Sequence, residues 1–555
     1  MVTRYRCVVA AGALVLAAGA LGCRSVAQTQ PRTEMVPMRD GVRLATDIHL
    51  PEGKGPWPAI LTRTPYGKGP RAQELAGVVR QGVAVVIQDL RGRFDSEGES
   101  SVFLTDGWGA LQDGYDTVEW VAAQPWSNGK VGMAGGSAMG ITQYLAAGAA
   151  PPHLMCCDVA VATSSLYHYA AYPGGAFGQA LVGDWLRQSG FPDAVLQLVR
   201  EHPSCDAVWR TANLAEVAPH VTVPMCHLGG WYDVFQQGTI DAFTLLQHQG
   251  GKGARGNQRL VVGPWGHGGQ PTGELHFPPN AAEHPRDPAR AEWFAYWLLG
   301  RPSDVMTRTP AVQYYTMGAC GEEGAPGNEW RSADDWPVPS TEIPYYLRAS
   351  GELTRAAPAA DGGSRRYLYD PADPVPTRGG CNLTIPAGPL DQREIEGRGD
   401  TLLFTSEPLA APLEVTGRLT ARLWVSSSAP DTDFTAKLTD VYPDGRSMLV
   451  CDGIRRARYR ESYAKPRLME PGKVYQVEVD LWSTSIVLNA GHRIRLAVSS
   501  SNAPRFEPNP NTAGGPGSGE APQAAENTVY MDAERPSCVL LPVVGEKADS
   551  ALRGR

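Results

Sequence analysis

A serine attacks an acyl carbon only when a base takes its proton and an acid orients that base, so serines that later loops can reach are the informative ones. Ser137 stands in Gly135-Gly136-Ser137-Ala138-Met139-Gly140, after the apolar run Lys130 to Met133 and before the helix-compatible run Ile141 to Ala150. Small residues at a strand-to-helix turn let the backbone reverse without a clash and push the serine hydroxyl outward. The pattern departs from Gly-x-Ser-x-Gly at one place, where Met139 holds the second glycine position and Gly140 follows. A dinucleotide-binding turn would need glycine where Ser137 stands, which leaves a nucleophile or a buried turn serine as the readings.

The partners of such a serine must follow later strands. Leu228-Gly229-Gly230-Trp231-Tyr232-Asp233 places Asp233 just after one apolar run, and Val262-Gly263-Pro264-Trp265-Gly266-His267 places His267 just after the next. Taken singly, Asp233 reads equally as a helix N-cap and His267 as a loop histidine. The order Ser, Asp, His, each at the end of a strand, is that of the α/β-hydrolase fold.

The elements that must hold these residues have the matching rhythm. Ala59 to Thr62, Val83 to Ile87, Lys130 to Met133, Val223 to Leu228 and Arg259 to Val262 are short and apolar, as buried parallel strands are. Helical stretches such as Gly114 to Ala123 and Thr239 to Gln249 separate them, so residues 34–300 are predicted to form a doubly wound α/β catalytic domain. Residues 164–220, rich in Tyr, Trp and Gly, interrupt the alternation and are predicted to form an inserted helical cap. Residues 301–344, rich in Pro, Gly and acidic side chains, read as a linker. Beyond them Leu413 to Gly417, Leu419 to Val425, Phe434 to Leu438, Val474 to Leu481 and Arg493 to Ser499 alternate apolar and polar residues, which predicts an all-β sandwich over 345–545. Asn509 to Glu526 reads as a mobile Gly- and Pro-rich loop. A chain of 555 residues is long enough for at least two hydrophobic cores.

Arg4 and Arg6 precede an apolar stretch from Cys7 to Leu21, the layout of an export signal. Two processing points compete: a lipoprotein signal ending at residue 22 with Cys23 acylated, and ordinary cleavage after Ala27, leaving Gln28 first. The expected location is therefore the periplasm or cell envelope, or the exterior, with a lipid on Cys23 as the one membrane attachment. Eight cysteines remain, from Cys156 to Cys538, and in an oxidising compartment some are expected to pair. No Cys-x-x-Cys or His-Glu-x-x-His occurs, so neither a metal nor a cofactor is expected. A net charge of −8 without a basic run disfavours nucleic acid. The Asp89 to Gly98 stretch lacks the Lys-Ser or Lys-Thr of a phosphate cradle and reads as a structural ion-pair segment. Oligomeric state is not legible.

Further motifs carry a family likeness. Arg63-Thr64-Pro65-Tyr66, Gln88-Asp89-Leu90-Arg91-Gly92-Arg93, Asp113-Gly114-Tyr115-Asp116, and Gln124-Pro125-Trp126-Ser127-Asn128-Gly129 precede the Ser137 turn, and Gly388-Pro389-Leu390-Asp391-Gln392-Arg393 follows far downstream. With these the chain resembles the X-Pro dipeptidyl-peptidase and cocaine-esterase group of serine hydrolases, which also includes α-amino-acid ester hydrolases and glutaryl cephalosporin acylases. The resemblance implies Ser137 as nucleophile, His267 as base, Asp233 as its orienter, and an oxyanion hole made by the Tyr66 hydroxyl and the Ala138 backbone N–H. It also implies a C-terminal jelly-roll domain. Ala138 stands where the family usually has Tyr, which keeps the backbone donor and changes the pocket. Aromatic Trp185 in the cap and Phe235 beyond Asp233 are candidate acyl-pocket residues, with cap packing as the alternative.

The function expected is cleavage of a small carboxylic ester or amide through an acyl-enzyme. Alternatives are an X-Pro dipeptidyl-peptidase, an α-amino-acid ester hydrolase or a glutaryl cephalosporin acylase. A surface saccharide-binding protein with a vestigial hydrolase site is the alternative of another class. An ammonium-bearing substrate would need a carboxylate cluster, and Asp184 is the single acid in the aromatic part of the cap.

Overall fold

The computed structural model describes residues 31–69, 79–285 and 287–545, the side chains of 287–289 excepted. The segment expected to be an export signal, with Cys23, lies outside the described residues.

The catalytic part is a ten-stranded sheet in the order β1-β2-β4-β3-β5-β6-β7-β8-β9-β10. Its strands are β1 (Arg32–Pro37), β2 (Arg43–His49), β3 (Trp57–Thr64), β4 (Ala84–Asp89), β5 (Ser127–Gly136), β6 (Leu154–Ala160), β7 (Met225–Gly230), β8 (Arg259–Gly263), β9 (Val312–Thr316) and β10 (Glu329–Ala333). From β4 through β9 all neighbours are parallel, and antiparallel strands close both edges. The parallel strands are buried on both faces because helices cover them, which is why they read as unbroken apolar runs. Helices α1 (Asp113–Ala122) and α2 (Ala138–Gly148) precede and follow β5. Between β6 and β7 come only short helical pieces, among them α3 (Trp185–Gln188) and α4 (Asp193–Glu201); α5 (Gln236–Gln249) then leads to β8. This is the α/β-hydrolase arrangement with an inserted helical cap.

The linker reading of 301–344 is corrected. Val312–Thr316 pairs in parallel with β8, and Glu329–Ala333 pairs back on it, so this stretch supplies two strands of the catalytic sheet. Gly318, Gly321, Gly324, Pro326 and Gly327 lie in the turn between these strands, where a backbone that reverses direction needs them, and Pro302, Pro310, Pro337 and Pro339 flank the pair.

The remainder is a β domain with two sheets. One holds seven strands: β11 (Thr341–Leu347), β12 (Leu353–Thr354), β13 (Ser364–Tyr369), β15 (Leu413–Ser427), β18 (Tyr475–Leu488), β20 (Ala525–Tyr530) and β21 (Cys538–Val543). The other runs β14 (Leu402–Thr405), β19 (Arg493–Ser499), β16 (Asp433–Val441) and β17 (Ser447–Arg456). Val415, Leu423 and Val479 of the first sheet share one core with Phe434, Leu438 and Leu496 of the second. The two runs that the sequence separates at Gly417 are one strand, β15, whose pairing with β18 shifts register between Leu419 and Thr420. The Asn509 to Glu526 loop is anchored at its start, where buried Asn509 donates to Asp431 and Asp433 at 2.9 and 2.8 Å.

The expected cysteine pairing is not found: among the described residues no disulfide joins any of the eight cysteines from Cys156 to Cys538. Seven of them are buried, where a thiol packs as a small apolar group.

Candidate active site

Ser137 ends β5 and opens α2 with φ 57° and ψ −125°, a conformation that side chains rarely adopt. Such strain persists only where the surroundings enforce it. A Cβ on Gly135 would stand 2.6 Å from Cβ of Met139, and one on Gly140 would stand 2.6 Å from Cβ of Ala162. The departure from the usual glycine spacing thus has a packing reason: Gly140 is the position that presses on the chain after β6. Ala138 is the first residue of α2, so its amide has no carbonyl of the helix to meet.

Asp233 and His267 sit on the loops after β7 and β8, and these loops are stitched together. The amides of Trp231 and Tyr232 donate to the carbonyls of Gly263 and Trp265 at 2.9 and 3.0 Å. Each loop has its own anchor: the Trp231 indole donates to the Tyr315 carbonyl on β9 at 2.7 Å, and that of Trp265 to the Ala281 carbonyl at 2.6 Å. The outcome is a continuous chain. His267 Nε2 is 2.9 Å from the Ser137 hydroxyl and Nδ1 is 2.7 Å from Oδ2 of Asp233. The other Asp233 oxygen accepts the Phe235 amide at 2.8 Å, and the carboxylate is fully buried. A carboxylate so fixed keeps the imidazole proton on Nδ1 and leaves Nε2 to accept the serine proton.

Beside Ser137 opens a cavity of about 80 Å³. Trp185 and Phe235 both line it, and the Phe235 ring meets His267 edge-on at 5.7 Å. Phe103, Ile141, Trp209 and Leu383 also line it, and among the described residues no charged side chain does. Tyr66 packs at the edge of this apolar cluster, and its hydroxyl accepts the Trp185 indole N–H at 3.0 Å. Sequence reasoning missed Phe103 and Leu383. Leu383 comes from the β domain, on a loop tied to the cap where Thr384 donates to the Ala180 carbonyl at 2.7 Å; no local pattern announces such a contact.

The charged segment after β4 is mostly ion pairs, as expected: Arg91 with Asp40 and Asp113, Lys68 with Asp89, and Glu97 with Arg43. Arg93 differs. Its guanidinium donates to the carbonyls of Pro65, Ser189 and Gly190 at 3.1, 2.6 and 2.9 Å, joining the Tyr66 turn to the end of α3. Burial pushes its pKa down.

Residues 40–194 and 180–269 match the X-Pro dipeptidyl-peptidase (S15 family) model, and 303–540 match the X-Pro dipeptidyl-peptidase C-terminal non-catalytic domain. Cocaine esterase from Rhodococcus sp. (strain MB1 Bresler) is 37% identical, over 92% of this chain and 98% of its own. The chain belongs to the S15 family. Two solved structures similar to this S15 protein are an aminopeptidase from a marine sediment Thaumarchaeota archaeon and an α-amino acid ester hydrolase. The first is 27% identical with a TM-score of 0.79 over 93% of this chain and 97% of that one. The second is 28% identical with a TM-score of 0.78 over 95% and 99%. The S15 protein is a serine hydrolase of the esterase-like kind.

Proposed function

We propose that the protein hydrolyses uncharged carboxylic esters, and more slowly amides, through an acyl-enzyme on Ser137. The observation that carries this reading is the hydrogen-bonded chain Ser137–His267–Asp233 at 2.9 and 2.7 Å. His267 takes the serine proton as the hydroxyl attacks, then returns it to the departing alcohol or amine; a second cycle with water frees the acid. The Ala138 amide and the Tyr66 hydroxyl stabilise the oxyanion that forms between these steps. Asp233 orients the imidazole and stays ionised.

The acyl group enters the cavity at Trp185 and Phe235. With no carboxylate among the described residues of the lining, an α-ammonium group would lose hydration without a replacement. Among the activities named for its relatives, the esterase reading therefore suits this cavity better than an aminopeptidase or α-amino-acid ester hydrolase one. A turnover panel of matched esters, free α-amino against N-acetylated, tests it: N-acetylated and simple acyl esters should be turned over at least tenfold faster, and the reverse preference would refute the reading. For export and Cys23 acylation, also part of this reading, Cys23→Ser should release the protein from membranes; a wild-type protein already soluble and starting at Gln28 would favour ordinary cleavage.

A further inference from the structure

A second cavity, about 300 Å³, lies where the cap meets the β domain. The cap supplies His168, Tyr169 and Gly174, and the β domain supplies Arg455, Tyr463 and Trp482. The two faces are in direct contact, since a Cβ on Gly174 would stand 1.8 Å from the Ile454 carbonyl oxygen on β17. Trp482 lies opposite Leu419, where the β15–β18 register shifts, and has φ 68°. A bulky residue held at positive φ beside a bulge marks a side chain that the fold has re-aimed. Its ring meets Tyr169 edge-on at 6.1 Å.

The charges around this space are not equivalent. Arg418 is held by Asp241 and Asp480, and Arg505 by Asp452. Glu478 pairs with Arg422. Arg455, among the described residues, has no carboxylate partner: its Nε donates to the Glu478 carbonyl at 3.0 Å and its guanidinium lies 4.5 Å over the Tyr463 ring. His168 adds a second donor. Burial, then the charges of Arg455 and Arg418, push its pKa down to about 4, so the imidazole is neutral. The Ser165 hydroxyl lies 2.9 Å from Nδ1 and accepts the His168 amide; in the tautomer in which this hydroxyl donates to Nδ1, the ring proton is on Nε2.

We propose that this cavity is a second ligand site, for a small aryl carboxylate, with the carboxylate on Arg455 and the ring among Tyr463 and Trp482. A planar guanidinium receives a carboxylate through two parallel hydrogen bonds. Asp452, Glu478 and Asp480 in the same walls are each paired with an arginine, which leaves the single positive charge of Arg455 to match a singly charged anion better than doubly charged phosphate. The proposal rests on the esterase reading for the source of the ligand, because hydrolysis of an ester of an aromatic acid frees this class of carboxylate together with an alcohol. The turn Tyr167–Ala171 connects the two cavities: His168 and Tyr169 line this one, while Ala170 and Ala171 line the one at Ser137.

The test is calorimetric titration of the full-length protein with benzoate after Ser137 has been blocked by a fluorophosphonate. One saturable site is expected, with Kd on the order of 1 mM or tighter, the sum of a charged hydrogen-bonded pair and one stacked ring. Arg455→Gln should weaken it at least tenfold at an unchanged melting temperature, Arg455→Lys should recover part of the loss, and inorganic phosphate should not compete. The same titration of Ser137→Ala does not depend on labelling, so a failed esterase reading and a failed carboxylate site give different results. Absence of saturable binding, binding indifferent to Arg455→Gln, or equal binding of phosphate would each overturn the proposal.

Discussion

The indole N–H of Trp185 donates to the Tyr66 hydroxyl at 3.0 Å, a hydrogen bond that joins the cap to the turn that follows β3. It fixes the position of the hydroxyl while using only an oxygen lone pair. Arg93 holds the same two segments from behind through three backbone carbonyls. On the proposed mechanism the donor is thus set before substrate arrives, which would let it act on charge that develops only in the transition state.

Tyr66→Phe should lower kcat by roughly 10²- to 10³-fold with a much smaller change in KM, the loss typical of one oxyanion donor. Trp185→Phe, which keeps the ring and removes the orienting N–H, should cost about tenfold, a value near one net hydrogen bond. Steady-state kinetics with melting temperatures of both variants checks this. Unaltered kcat in Tyr66→Phe would show that the second oxyanion donor lies elsewhere.

Asp233→Asn should lower kcat by about 10⁴-fold while the protein stays folded. The new amide would donate to Nδ1 of His267, forcing the ring proton onto Nε2, where it cannot accept from Ser137. The Phe235 amide keeps its acceptor on the remaining oxygen. Activity within tenfold of wild type would remove Asp233 from the role of orienter.

How far the sequence carried this picture depended on locality. The Ser137 turn, Asp233 and His267 were legible because each lies within a few residues of an apolar strand, and their order completes the pattern. The strands β9 and β10 were not, because a short edge segment with Pro and Gly around it has the composition of a linker until its partner strand is known. Leu383 and Arg455 belong to contacts between distant parts of the chain, and only the packed structure brings them to the cavities. The cysteines illustrate the same limit: composition raised the possibility of bridges, while their burial among apolar side chains makes them core residues.

Stability should depend on pH through His492, which is buried between Asp440 at 2.7 Å and Glu322 at 2.9 Å. Burial works to lower its pKa, but the hydrogen bonds and charges of the two carboxylates together outweigh it and raise the value above the ordinary 6.5. A raised folded pKa means that the contribution is complete below the unfolded value of about 6.5 and fades as pH climbs through the folded one. His492→Gln should therefore lower the melting temperature by several degrees near pH 6 and by less near pH 9. An equal loss at both pH values would show that only packing was removed.

The central claim is that Ser137 is the nucleophile, and the most direct measurement is mass spectrometry of the protein after reaction with a fluorophosphonate. One adduct is expected, on the peptide that contains Ser137, appearing in step with loss of esterase activity. Ser137→Ala should take up no label and show no turnover, with an unchanged melting temperature because the smaller side chain fits the same turn. An adduct on another residue, or a purified Ser137→Ala protein that still hydrolyses esters, would contradict the assignment.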